Sequence, residues 1–149
     1  MSKLMKRISA GLDREIAAIE RIAKLGVNAS DLEIAEAMAE YYVSVLPYAR
    51  AKARGRVSLS IHHDVSARSL DPPCPVEYDW HDKNTVGIIT TDEARAKDWA
   101  IRAMLLGYAV FYKFRPRKGG GGGSQGSIQD WRNRHFDVGF GPASICTRR

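Results

Sequence analysis

Apolar residues recur near the start of the chain at helical spacing. Ile8, Leu12, Ile16, Ile19 and Ala23 lie four, four, three and four positions apart, which places them on one stripe of an amphipathic helix. Gly26 is a natural stop for it. Ser30 and Glu33 form a capping-box pair, and Ile34, Met38, Tyr41 and Val45 then repeat every three or four positions, so a second helix begins near Asp31. Pro47 falls inside that pattern, where it lacks an amide donor and crowds the carbonyl four residues back. Helical composition persists from Ala49 to Arg54, which predicts a kink at Pro47 and continuation to Gly55.

The period then changes from helical to alternating. Val57, Leu59, Ile61, His63 and Val65 alternate with Ser58, Ser60, His62, Asp64 and Ser66, the pattern of a half-buried strand. Pro72, Pro73 and Pro75 make the stretch around Cys74 a loop, since each removes a ladder donor. Residues 76–80 and 85–89 are predicted as strands around a turn of His81, Asp82, Lys83 and Asn84. Thr90 and Glu93 form a second capping-box pair. Trp99, Ala103 and Leu106 follow at helical spacing and Gly107 closes the run, so a third helix is predicted between about Asp92 and Leu106. Tyr108, Val110, Tyr112 and Phe114 alternate with Ala109, Phe111 and Lys113, a strand rich in aromatic and β-branched residues that should be well covered. Beyond Lys118, five consecutive glycines and the sequence Ser124 to Ser127 have the composition of a flexible linker.

These elements predict an α+β fold with two N-terminal helices, a small mostly antiparallel sheet, a third helix between strands, and a C-terminal arm. The divisions are an α+β core over 1–115, a glycine-rich linker over 116–127, and a basic aromatic arm over 128–149. The arm carries Ile128, Trp131, Phe136, Val138 and Phe140, enough apolar surface to dock on a partner or on the core, so Trp131 and Phe136 are expected to be buried.

Composition sharpens this division. At 149 residues and 44% hydrophobic, the chain can bury a core without metal or disulfide support. Two cysteines, Cys74 and Cys146, are too few for a disulfide framework. No run of 18 apolar residues exists to span a membrane, and residues 1–25 lack the apolar centre of a signal peptide, which argues against export. The net charge of +6 is unevenly placed: residues 1–112 hold 15 basic and 15 acidic side chains, whereas 113–149 hold 8 and 2. The body is neutral and the tail carries the whole excess.

Three constellations bear on chemistry. Imidazoles and carboxylates at His62, His63, Asp64 and His81, with Asp79 and Asp82 nearby, are metal-ligand types. Adjacent strand positions point to opposite faces, however, so His62 and His63 do not converge without a bulge; the plainer reading is a core-facing His63, a surface His62, and turn residues at 81 and 82. The glycine run is not a phosphate loop, because Lys118 precedes the glycines rather than following them. Arg115, Arg117, Lys118, Arg132 and Arg134, interleaved with Trp131, Phe136 and Phe140, suit either phosphate contacts with stacking or anchoring on a protein partner. A second basic cluster, Arg50, Lys52, Arg54 and Arg56, sits where cations complement the C-terminal end of the second helix.

Three stretches resemble the head-to-tail joining, or tail-completion (neck), proteins of tailed bacteriophages. Gly11, Leu12 and Asp13 with the run to Ala23 resemble the family's opening helix. Ala49, Lys52 and Ala53, then Gly55, Val57, Ser60 and Ile61, resemble its passage from a long basic helix through glycine into the first strand. Tyr108, Ala109, Phe111 and Phe114 resemble its late aromatic strand. Two family features are missing: the proline and threonine around that glycine, and the acidic-aromatic-glycine-threonine step, replaced here by Lys113, Phe114, Arg115 and Pro116. The resemblance implies a non-enzymatic structural virion protein without a cofactor, a subunit of a sixfold or twelvefold ring that meets neighbouring connector and tail-tube proteins. It would be found in the host cytoplasm during assembly and then in the virion. The alternative is a small nucleic-acid-binding protein that uses the C-terminal arm on DNA.

Overall fold

The computed structural model describes residues 2–52, 57–64, 76–81, 85–116 and 123–133, with side chains over 2–44, 76–81, 85–110 and 126–133. Helix α1 (Lys3–Ala23) starts at Ser2, whose hydroxyl accepts from the Met5 amide at 3.1 Å. A short turn leads to α2 (Asp31–Lys52). The predicted capping box is complete there: the Ser30 amide donates to Glu33 Oε1 at 3.0 Å and the Glu33 amide donates to Ser30 Oγ at 3.1 Å. Helix α2 continues past Pro47 to Lys52, and the predicted extension to Gly55 lies outside the described residues.

Among the described residues, five strands form one sheet: β1 (Val57–Asp64), β2 (Trp80–His81), β3 (Thr85–Thr90), β4 (Val110–Pro116) and β5 (Gly123–Gly126). Their order is β2-β3-β1-β4-β5, and every neighbouring pair is antiparallel. Helix α3 (Glu93–Leu105) connects β3 to β4, and a short α4 (Ile128–Arg132) follows β5. The architecture is α+β, with the third helix between strands.

Some boundaries differ from the sequence expectation. The strand predicted over 76–80 shrinks to Trp80–His81; Asp79 still donates its amide to the Gly87 carbonyl of β3 at 2.8 Å, while the residues before it are held by α3. Val76 is buried, and Trp99 Nε1 donates to the Glu77 carbonyl at 2.6 Å. At α3 the capping residue is Asp92, whose carboxylate accepts from the Ala94 and Arg95 amides; Thr90 caps one step upstream by accepting from the Asp92 amide. Gly107 ends α3 as expected. With φ at 96°, it lets its own amide reach the Met104 carbonyl (2.9 Å) and the Tyr108 amide reach that of Ala103 (3.1 Å), a Schellman closure that only glycine adopts readily.

Helix α2 is the axis of the molecule. It packs on α1, α3 and the sheet, so apolar side chains on most sides of it are buried, among them Ile34, Met38, Tyr41, Tyr42 and Val43. Ala35, Ala37 and Ala39 are fully buried as well and permit close approach from more than one direction. Tyr42 donates to the Val110 carbonyl at 3.1 Å, fastening α2 to β4. From the other side α3 contributes Trp99, Ala103 and Met104, and β3 contributes Val86 and Ile88. Ile89, which alternates with them, is 43% exposed, so helices cover one face of the sheet.

Candidate interaction surfaces

Helix α1 is where the structure departs most from the sequence pattern. The expected contact stripe of Ile8, Leu12, Ile16, Ile19 and Ala23 is not the one that packs. Gly11, Glu15, Ala18 and Ile22 are buried, with Leu4, Ile8 and Leu25 half-buried on the same line, a seam at alternating intervals of four and three. Of that stripe, Leu12 is 36% exposed, Ile16 is 46% exposed and Ala23 is exposed, while Ile8 is half-buried on the packed seam and Ile19 packs partly on the core. Two features account for this rotation. Gly11 and Ala18 let α1 approach α2 closely. Arg14 donates to Glu40 of α2 at 3.1 Å and pairs with Glu93 of α3 at 2.7 Å, which turns its side of the helix inward.

That ion network joins three helices. Lys97 of α3 also reaches Glu40, at 2.9 Å. Burial works against charge on Glu40, but the hydrogen bonds from Lys97 and Arg14 outweigh it and hold its carboxyl below the usual range. The Arg14 guanidinium is raised, chiefly by its bond to Glu93. Glu15, one position away, has no such help: desolvation alone pushes its carboxyl up to about 7. Glu15 was missed by sequence reasoning, because a carboxylate was not sought on the packed seam. The four-three interval running from Leu4 to Leu25 was the signal.

A second set of ion pairs joins α3 to the segment before β2. Arg102 reaches Glu77 through two hydrogen bonds of 2.6 and 2.9 Å and holds its carboxyl below the normal range. Arg95 lowers Asp79 in the same way, and Asp79 also accepts from the Ile89 amide.

The C-terminal region is partly integrated with the core. Gly123–Gly126, expected as linker, is strand β5 and pairs with β4, Gly126 opposite Val110 and Gly123 opposite Lys113. Pro116, set at the start of the linker, ends β4 opposite Val57. A glycine-rich sequence can still form a ladder because its backbone donors and acceptors are intact. Ser127 caps α4, Trp131 is buried with 4% exposure, and Ile128 packs partly on the core. Arg132 donates to the Ala29 carbonyl at 3.0 Å and to Asp31 Oδ1 at 2.6 Å, which ties α4 to the turn between α1 and α2. Trp131 and Arg132 are therefore anchors within the chain. Arg134, Phe136 and Phe140 lie outside the described residues, as do Arg117, Lys118, Arg54, Arg56, Cys74 and Cys146.

Register places the remaining candidates. Arg50 and Lys52 are in the last turn of α2. His63 lies between Val86 and Val110 in a row on the helix-covered face, while His62 lies between Gly87 and Phe111 on the other. His81 also pairs with Val86, so it and His63 share a face but stand two strand spacings apart, about 10 Å. His81 makes an edge contact with Tyr78 at 5.5 Å. Asp64 is opposite Thr85. The histidine set is thus spread over both faces and not brought together. Among the described residues no cluster of three or more metal-ligand side chains occurs, and no helix is long and apolar enough to cross a membrane. Phe111, Lys113 and Arg115 occupy successive positions on the face opposite the helices.

No family model matches the chain, and neither the curated proteins nor the solved structures contain a significant match to it.

Proposed function

We propose that the protein is a structural subunit of the neck or tail end of a tailed phage, forming a ring of six or twelve copies between the connector stack and the tail tube, first in the host cytoplasm and then in the virion. The resemblance supplies the assignment; its three stretches correspond to α1, the passage from α2 into β1, and β4. One observation supports an assembly role independently: Met5, Leu12 and Ile16 are large apolar side chains on α1 left 52%, 36% and 46% exposed beside a well-filled core. Val27 and Leu32, at and just beyond the adjoining turn, are also exposed. Large apolar side chains exposed along one side of a helix suit a place where another protein packs. Ring closure needs two different patches on each subunit, and the segment beyond α4 is a second candidate patch.

The test is particle mass of the full chain across a range of concentrations. A species of six or twelve chains supports the reading, and a monomer at every concentration overturns it. Removing residues 134–149 while keeping β5 and α4 then asks whether the last segment joins neighbours: ring formation should be lost, and an unchanged ring excludes the arm.

The placement of Phe111, Lys113 and Arg115 on one face favours a second reading, a nucleic-acid-binding protein. Arg132 is already committed to Asp31, which reduces the arm's supply of cations for phosphate. Binding to DNA that falls steeply with salt would favour this reading, whereas a ring indifferent to salt would favour assembly.

A further inference from the structure

The apolar arc of α1 is wider than one neighbouring helix can cover. The seam facing α2 runs through Gly11, Glu15, Ala18 and Ile22, and turning the helix by roughly 100°, one residue's rotation, brings up a second seam. This seam is Met5, Ser9, Leu12, Ile16, Ile19 and Ala23, again at alternating intervals of four and three, the spacing that a packed partner helix requires. Met5, Leu12 and Ile16 are the exposed large side chains on it, and Ser9 and Ala23 are exposed small ones.

We propose that this seam is the contact for α1 of a second copy of the chain, packed antiparallel about a twofold axis near residue 14. The order of side chains selects that occupant. Reading the seam against its own reverse places Met5 opposite Ala23, Ile19 opposite Ser9, and Leu12 opposite Ile16. Large meets small in the outer layers and two branched aliphatics meet at the centre, so the layers interdigitate without a void. A parallel pair would instead set Met5 against Met5 and Ser9 against Ser9. The flank of the seam away from α2 carries Lys6, Asp13 and Glu20, and the antiparallel arrangement brings Lys6 of each copy to Glu20 of the other. Asp13 meets its own copy at the open edge of the axis, where solvent screens the repulsion. A twofold contact is isologous and closes on two chains. It takes up the α1 surface that the ring reading uses as one of its two patches, so the two contacts compete for that surface.

The full-length protein is examined by sedimentation over a wide concentration range, with the wild type expected to pass reversibly from one chain to two. Ile16→Glu should weaken pairing by at least about tenfold, with helix content unchanged because the site is exposed in the single chain. Lys6→Glu alone and Glu20→Lys alone should each weaken it severalfold, and Lys6→Glu combined with Glu20→Lys should restore it. A wild type that stays single, pairing that survives Ile16→Glu, or a charge exchange that fails to restore pairing each overturns the inference. A dimer with no larger ring upholds this contact and removes the ring reading. A ring unaffected by Ile16→Glu does the reverse.

Discussion

Helices α1 and α2 have almost the same length, 21 and 22 residues, and lie side by side, yet they do opposite work. Helix α2 is enclosed by α1, α3 and the sheet and buries apolar side chains on most of its sides. Helix α1 touches the body along one seam and presents a second to solvent. The number of neighbours decides this, more than hydrophobicity does, since α1 holds leucine and isoleucine that α2 would have buried. An element that is apolar all round specifies the core. One that is apolar over a wide arc but flanked on one side only, as α1 is, leaves apolar side chains facing solvent.

The contrast can be broken most forcefully at its buried end. Met38→Ala on α2 removes a fully enclosed side chain and should cost about 2–5 kcal/mol in denaturant unfolding. An effect below about 1 kcal/mol would show that α2 is not the axis described. Next in size is Glu15→Gln. The Glu15 carboxyl, ordinarily at 4.5, rises to about 7 in the folded chain, so the folded state holds its proton more tightly than the unfolded one. The charged form therefore weakens folding progressively as pH climbs from about 4.5 to 7 and fully above that. Glu15→Gln should gain about 1–2 kcal/mol at pH 8 and nearly nothing at pH 4.5, as read from chemical melts at both values. Glu40→Gln has the opposite sign. Its carboxyl is lowered, so its contribution exists above 4.5 and fades as pH falls. Loss of its bonds to Arg14 and Lys97 should cost about 1 kcal/mol at pH 7 and less near pH 3. The smallest effect belongs to the uncovered seam: Leu12→Ser in dilute protein should shift stability by less than about 0.5 kcal/mol. A cost like that of Met38→Ala would mean Leu12 is covered within the single chain.

Local signals carried most of the fold. Ser30 and Glu33, Gly107, the alternation from Val57, and the Trp99 helix all state their structure over a few residues, and the elements lie where those signals place them. What depended on distant partners was less legible. The side of α1 that packs is fixed by Arg14 reaching Glu40 and Glu93, residues 26 and 79 positions away; two seams of α1 share the same four-three spacing, so spacing alone does not choose between them. The strand at Gly123–Gly126 is likewise a property of the β4 edge it joins, since its own residues favour no conformation. The periodic stripe read from the sequence mixes two sides of α1: Ile8 lies on the seam that packs, whereas Leu12, Ile16 and Ala23 are exposed.

The clasp between Arg132 and Asp31 joins positions 101 residues apart. During synthesis the α1–α2 hairpin leaves the ribosome before β3, α3 and β4 exist, and its connecting turn receives its last partner only when residue 132 has emerged. A nascent chain halted anywhere before that point lacks the bond by which α4 fastens this turn.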